Sequence, residues 1–303
     1  MRRKIPSTAA LAAFEAAARH QSFTLAADEL ALTQSAVGRQ IANLEVFLGL
    51  KLFRRTRRGV ALTPCGLQYS RTVRARLDDV ERDTLQLMAG GAGGGSLELG
   101  VVPTFATHWL IPRLAGFRAR HPGIDVHLHA RTRPFLFGEA GVDAAIYAGT
   151  GGWPGTQADR LMPEPMVVVY AASLARQKKR LRAKDIAELP LIQMATRPYA
   201  WRQWFQAQGI ECAADMAGPR MELFSMATQA AIEGLGVALV PAIFVADALQ
   251  QGLLLASADR PFMSGLGYYL IHPEGEPASR ELTVFRKWLL AEAGATIPGA
   301  ATP

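Results

Sequence analysis

The chain has 303 residues, half of them apolar, and a formal net charge of +7. That length suits two or three domains rather than one, and no apolar run reaches the roughly 20 residues that a membrane-spanning helix needs. The charge is uneven. Residues 1–77 carry 13 Lys and Arg against 4 Asp and Glu, and the rest carries 20 against 22. This predicts a polyanion-binding N-terminal module joined to a near-neutral body. The only cysteines, Cys65 and Cys212, are two lone thiols, as expected of a reducing cytoplasm.

The opening stretch MRRKIPSTAALAAFEAAARH starts basic and Ala-rich, but Glu15, Arg19 and His20 interrupt any signal-peptide core. It reads as an amphipathic helix over Ser7–His20, capped by Ser7, with Leu11, Phe14 and Ala18 on one face. Gln21–Phe23 break it, and Thr24 is the expected cap of a short helix, Leu25–Ala31. Thr33 caps a third helix from Gln34 to about Leu48. Val37, Ile41, Leu44 and Leu48 form its apolar face, which should dock on Phe14, Ala27 and Leu30. The opposite face offers Gln34, Ser35, Gly38, Arg39 and Asn43 to solvent. Arginine suits guanine, Gln and Asn suit adenine, and Ser suits either, so this face fits base edges in a major groove. A plain three-helix bundle with a polar face fits the same pattern.

The next segment favours nucleic acid. Leu52, Phe53, Val60 and Leu62 read as two short strands around a turn at Arg57-Arg58-Gly59. Arg54, Arg55, Arg57 and Arg58 crowd this hairpin, and four guanidinium groups repel one another unless a polyanion is near. Thr63-Pro64 then starts a helix over 64–89, Thr as cap and Pro in the first turn. Val73, Leu77, Val80, Thr84 and Leu87 recur along it as a short coiled-coil seam, the expected dimer contact. The glycine-rich run 90–96 reads as a flexible hinge. It precedes a strand and lacks the spacing of a nucleotide loop.

From Leu97 strands and helices alternate, which predicts an α/β body. Strands are expected at Leu97–Val102, Ile124–His129, Asp143–Tyr147, Met166–Ala171, Leu191–Met194, Met221–Leu223, Val237–Val240 and Leu266–His272. Helices are expected at Thr107–His121 and Ser279–Glu292, and Gly149–Gly155 is a crossover. Two lobes joined by crossovers imply a ligand cleft at strand ends and helix N-termini. No GxSxG, Walker, HExxH or CxxC motif occurs, so no enzyme chemistry is expected. His127 and His129 share a strand face without a third ligand and read as solvent-facing, with no metal.

The stretches LAAFEAAARHQSFTLAADELALTQSAVGRQIANLE and LGLKLFRRTRRGVALTPCG resemble the DNA-binding module of LysR-type transcriptional regulators. VVPTFATHWLIPRLAGFRARHPGIDVHL and AAIEGLGVALVP are similar to the family's effector domain, and GGWPG at 151–155 resembles the subgroup of glycine-cleavage and β-lactamase regulators. The resemblance implies a winged helix-turn-helix domain (5–63), a dimerising linker helix (64–89) and a two-lobed α/β effector domain (97–295) like type 2 periplasmic binding proteins. Lobe 1 would be about 97–160 with 266–293, and lobe 2 about 161–265.

It also implies a cytoplasmic, homo-oligomeric regulator without a cofactor, whose partners are double-stranded DNA, a small effector, a second copy (dimer, then tetramer) and RNA polymerase. Gln34, Ser35 and Arg39 would meet bases and Arg55 and Arg57 would serve the wing, alongside Thr33, Arg54 and Arg58. Pro103, Thr104, Phe105, Phe224 and Ser225 would line the effector site, with Tyr147, Gln193 and Tyr268 near it. A helix-cap role for Thr104 and a core role for Phe224 fit equally well. Two positions depart from the family. Gly38 replaces a common serine, and Tyr147 stands where arginine is usual, which leaves a carboxylate effector without that partner. The other reading is a small-molecule binding protein or enzyme of two-lobed fold, with the N-terminal module serving assembly alone.

Overall fold

The computed structural model describes residues 4–56, 59–88, 95–175, 180–275 and 277–296. Arg57, Arg58 and positions 90–94 of the expected hinge lie outside the described residues, as does the Leu87 side chain. The chain divides into two units, Met1–Ala92 and Gly93–Pro303.

The first unit begins with α1 (Thr8–His20), α2 (Phe23–Glu29) and α3 (Gln34–Leu48). Each has a hydroxyl cap: Ser7, Ser22 and Thr33 accept from the amides of Ala10, Leu25 and Ala36. The cap of α2 is thus Ser22, and the expected Thr24 lies within the helix. Starting the helix two residues earlier brings Phe23 against the wing, where its ring meets Phe53 edge-on at 5.3 Å. Val37, Ile41 and Leu44 are buried with Phe14 and Ala27 in one core. Burial of a side chain such as Phe14 contributes about 1.5–3 kcal/mol. Strands β1 (Phe53–Thr56) and β2 (Gly59–Leu62) pair antiparallel as the wing.

Helix α4 (Pro64–Met88) starts where Thr63 Oγ1 accepts from the Gly66 amide at 3.0 Å. Gly66 must be glycine, because a Cβ there would lie 2.1 Å from the Leu52 carbonyl oxygen. The expected seam on α4 divides. Val73 is buried in the unit's own core and Leu77 packs against it, so these positions serve the fold of one chain. Val80 is 59% exposed and Met88 76% exposed.

The second unit is an α/β body with a sheet in the order β4-β3-β5-β11-β6-β9-β7-β8, β10 pairing with β6. In chain order it runs β3 (Gly95–Val101), α5 (Pro103–Phe105), α6 (Ile111–Arg120), β4 (Ile124–Ala130), α7 (Phe137–Ala140) and β5 (Ala144–Gly149). Next come β6 (Thr156–Tyr170), α8 (Ala183–Ile186), β7 (Leu191–Met194), α9 (Ala200–Ala207), β8 (Arg220–Met221), α10 (Phe224–Ile232) and β9 (Val237–Pro241). The unit ends with α11 (Ala246–Gln250), β10 (Leu255–Ala256), β11 (Phe262–Pro273) and α12 (Arg280–Thr296).

Strands β3, β4 and β5 are parallel on one side, and β7, β8 and β9 on the other. The two sets meet through β6 and β11, which run antiparallel to each other through both lobes. Strand β6 begins ten residues before the expected Met166, and β11 four before Leu266. The start of β6 is polar and largely exposed, and in β11 Ser264 and Gly265 interrupt the pattern after Phe262-Met263, so no continuous apolar run marks either start. Gly95 and Ser96, expected in the hinge, open β3 by pairing with Ile124 and Asp125. The helix expected from Thr107 begins instead at Pro103 and passes through a π turn, Ala106–Leu110, before α6.

Candidate nucleic-acid interface and ligand cleft

On α3 the structure exposes Thr33, Gln34, Ser35, Arg39 and Asn43, while Val37, Ile41 and Leu44 point inward. The Thr33 and Ser35 hydroxyls lie 3.1 Å apart at the helix start. Gly38 is half-buried, and a Cβ added there would meet nothing within 4 Å. Arg54 and Arg55 are exposed on β1.

Glu45, missed as a site residue, links the helix to the wing. Its buried carboxylate accepts the backbone N–H groups of Leu52 at 2.9 Å and Phe53 at 3.2 Å, and the Lys51 ammonium lies at 2.6 Å. Burial pushes its pKa up, but Lys51 and the two amides outweigh that and hold it below the usual carboxylate range. An exposed network joins α1 to α2. Arg19 pairs with Glu15 and, at 2.5 Å, with Glu29, and His20 lies 2.6 Å from Glu29. Hydrogen bonds from Arg19 and His20 bring the Glu29 pKa down to about 2.

In the second unit a cavity opens at the carboxyl ends of the parallel strands, where ligands bind in open α/β sheets. Pro103, Thr104 and Phe105 follow β3, Tyr147 and Ala148 end β5, Thr196 and Arg197 follow β7, and Phe224 follows β8. The inner cavity is about 50 Å³ and adjoins a vestibule of about 450 Å³ through Tyr147, Ala148, Thr196 and Arg197.

Six of the eight expected effector residues line this cavity: Pro103, Thr104, Phe105, Tyr147, Phe224 and Tyr268. Thr104 is buried, and its Oγ1 accepts from the Ser225 amide at 3.2 Å. The cap reading of Thr104 therefore holds in an unexpected form: it caps α10, on the far side of the cleft. Phe224 lines the cavity and belongs to the core as well. Ser225 contributes its amide to Thr104 and lies just outside the lining.

Gln193 is a correction. It is buried away from the cavity, and its Nε2 donates to the carbonyls of Asp215 at 3.1 Å and Ala217 at 2.7 Å. An amide at the end of a buried strand is drawn to loop carbonyls that nothing else satisfies.

The chemistry that sequence reasoning missed is the pair Glu164 and Arg197. Glu164 is 1% exposed on β6, and the Arg197 Nη2 reaches its Oε2 at 3.5 Å. Pro163 and Pro165 flank Glu164 and offer no amide to the sheet, and opposite them β11 breaks register between Met263 and Gly267. Gly265 sits in that break with φ +79°. Beside this break the buried Glu164 lines the inner cavity. Charge inside an apolar strand, between two prolines, was the available signal. Arg197 also corrects the expectation drawn from Tyr147: a cation does face this cavity, supplied from the other lobe.

Burial raises the Tyr147 pKa against the opposing pull of Arg197. Burial, with Glu164 adding to it, holds the Tyr268 hydroxyl well above its ordinary value. Both phenols are therefore neutral donors. His129 pairs with Glu98 of the neighbouring strand, and His127 is exposed. Among the described residues no group of three His, Cys, Asp or Glu gathers to hold a metal ion, and no helix is long and apolar enough to cross a membrane.

Comparison with known proteins matches both units to one family. Residues 8–67 match the bacterial regulatory helix-turn-helix of the lysR family, and residues 90–294 match the LysR substrate binding domain. The glycine cleavage system transcriptional activator of Escherichia coli K12 is 36% identical over 296 residues, covering 97% of this chain and 96% of that protein. The transcriptional activator AmpR of Pseudomonas aeruginosa is 36% identical over 294 residues, covering 96% and 97%. The effector domain of the latter superposes with a TM-score of 0.61 at 30% identity, covering 66% of this chain and 96% of that domain. CbnR bound to its target DNA shares the fold, with a TM-score of 0.72 at 19% identity over 93% of this chain and 98% of that one. The chain belongs to the LysR family of transcriptional regulators, with an N-terminal domain that binds DNA and a C-terminal domain that binds an effector, and it is not an enzyme.

Proposed function

We propose that this regulator works as a cytoplasmic homo-oligomer whose hold on DNA is set by a small molecule in the cleft between Thr104 and Phe224. Gln34, Ser35 and Arg39 read base edges from α3, with Thr33 at its start. Arg54, Arg55, Arg57 and Arg58 hold phosphates or the minor groove from the wing. Pro64–Met88 supplies the dimer contact through its outer face around Val80 and Met88, the effector domains extend the dimer to a tetramer, and RNA polymerase is engaged at the promoter. The domain limits are a reading module 5–63, a linker helix 64–89, a hinge 90–94 and an effector domain 95–295, the hinge ending where β3 starts at Gly95. The effector favours one arrangement of the lobes and so alters the spacing of the reading heads along DNA.

The observation that carries this reading is the cavity itself, built from strand ends of both lobes and bridged by the Thr104–Ser225 hydrogen bond. An occupant touches both lobes at once and biases their arrangement.

The test is binding of the full chain to DNA upstream of its own gene or an adjacent one. Arg39→Ala is expected to cost about 1–3 kcal/mol and to relax sequence preference. Arg55→Ala is expected to weaken all sequences alike and to reduce the salt slope by about 1. Binding that ignores salt and both substitutions overturns the reading. If deletion of residues 1–88 leaves the biological activity intact, the assembly-only role of the N-terminal module is correct instead.

A further inference from the structure

The cleft carries a chemical signature beyond its position. Glu164 is almost wholly buried, yet neither carboxylate oxygen has a hydrogen bond of good geometry, and among the described residues only the Tyr268 hydroxyl and the Arg197 guanidinium approach it. The buried Nε of Arg197 has none either. The contact between them, 3.5 Å, is longer than the 2.7–2.9 Å or so of a charge-assisted hydrogen bond. Buried carboxylates left in this state are costly, because the desolvation is not repaid. The groups sit where the inner cavity, the vestibule and a third recess of about 220 Å³ meet, and Arg197 lines all three.

The charges around the cleft also balance. The charged residues lining the inner cavity and vestibule are Glu164, Arg197, Glu222 and Arg133, two of each sign. A ligand with only negative charge meets the unsatisfied Glu164, and one with only positive charge meets Arg197. A neutral ligand without donors leaves both Glu164 oxygens orphaned. An ammonium beside a carboxylate on one small molecule satisfies both groups and adds no net charge. Phe105, Phe224 and Phe244 offer apolar walls to what lies beyond.

We propose that the effector is a free α-amino acid, its ammonium on Glu164 and its carboxylate on Arg197. The buried Tyr268 hydroxyl stands beside that ammonium, and the side chain extends over the aromatic wall or out into the vestibule. This rests on the cleft being the effector site.

The experiment is a thermal-shift and calorimetric screen of the full chain against glycine and the L- and D-amino acids, with the N-acetyl and carboxamide derivatives of each hit. At least one free amino acid is expected to bind, with each derivative weaker by about tenfold or more. Glu164→Gln and Arg197→Met are each expected to weaken the hit by about tenfold or more. If no amino acid binds, or if both derivatives bind as well as the parent, the proposal is wrong. The derivative comparison uses the unaltered protein, so it decides even if a variant fails to fold.

A parallel arm separates this result from the cleft reading. A low-molecular-weight cell extract is applied to the protein–DNA complex, with Thr196→Trp filling the cleft. An extract effect abolished by Thr196→Trp while no amino acid binds removes the amino-acid assignment and leaves the cleft as effector site. An effect that survives Thr196→Trp removes the cleft reading itself.

Discussion

The Thr104 hydroxyl oxygen accepts a hydrogen bond from the Ser225 amide at 3.2 Å, joining residues 121 positions apart in the chain. Thr104 follows β3 and Ser225 opens α10, so the bond ties strand ends of the two lobes at the wall of the cavity. A helix N-terminus presents amides that need acceptors, and α10 has no side-chain cap of its own. Thr104 serves in its place.

Thr104→Val keeps the shape and removes the acceptor. The Ser225 amide is then left half-buried without a partner, at an expected cost of about 1–3 kcal/mol. Urea denaturation of the full chain measures this. A midpoint equal to that of the unaltered protein means that solvent satisfies the amide and that the bridge contributes nothing.

Glu45 is the hinge pin between α3 and the wing, and its protonation should loosen both. Its folded pKa lies below the ordinary carboxylate value, so its stabilisation is complete above about pH 4.3 and is lost as pH falls through the lower folded value. Glu45→Ala leaves the Leu52 and Phe53 amides unpaired and is expected to cost about 1–3 kcal/mol above about pH 4.3, a cost that shrinks as pH falls through the lower folded value. Comparing acid-unfolding curves of the two proteins by circular dichroism checks both the size and the sign. Retention of the full pH dependence by the variant refutes the assignment.

Gly38 lies inside α3 with open space where a Cβ would be. Gly38→Ala is therefore expected to stabilise the first unit by roughly 1 kcal/mol, since nothing offsets the gain in helix propensity. Gly38→Ser restores the hydroxyl common in the family. Melting temperature and DNA affinity measured together separate the two effects, because only the affinity responds to a new contact with DNA.

Gln193→Ala tests the placement of Gln193 outside the cavity. It leaves the Asp215 and Ala217 carbonyls short of a donor, with an expected loss of about 1–3 kcal/mol and unchanged response to effector. A changed response at unchanged stability returns Gln193 to the ligand site.

Much of the first unit was legible in the sequence because its forces are local. Thr33 as a cap, the 3.6-residue spacing of Val37, Ile41 and Leu44, and Thr63 before Pro64 each act within a turn of helix, and each stands in the fold as expected. Local rules misplaced only what long-range packing decides. Phe53, thirty positions on, draws Phe23 into α2 and moves the cap to Ser22. Val73 looks like a dimer-seam residue until the position of Phe14 and Tyr69 shows it an intramolecular core.

The cleft divides in the same way. Pro103, Thr104, Phe105 and Phe224 follow strands that the alternating pattern already marked, so their place at strand ends was readable. Glu164 and Arg197 were not, because 33 positions separate them and neither sits in a motif. Only the folded sheet sets Glu164 at the cavity, beside the break in the β6–β11 ladder. Only the turn after β7 brings Arg197 across to it. The sequence by itself determined the reading helix, the basic wing, the linker helix and the two-lobed body, through periodicity, capping and charge. The tertiary structure decided which charges face the cavity, because the partners of a buried carboxylate are its neighbours in space and not its neighbours in the chain.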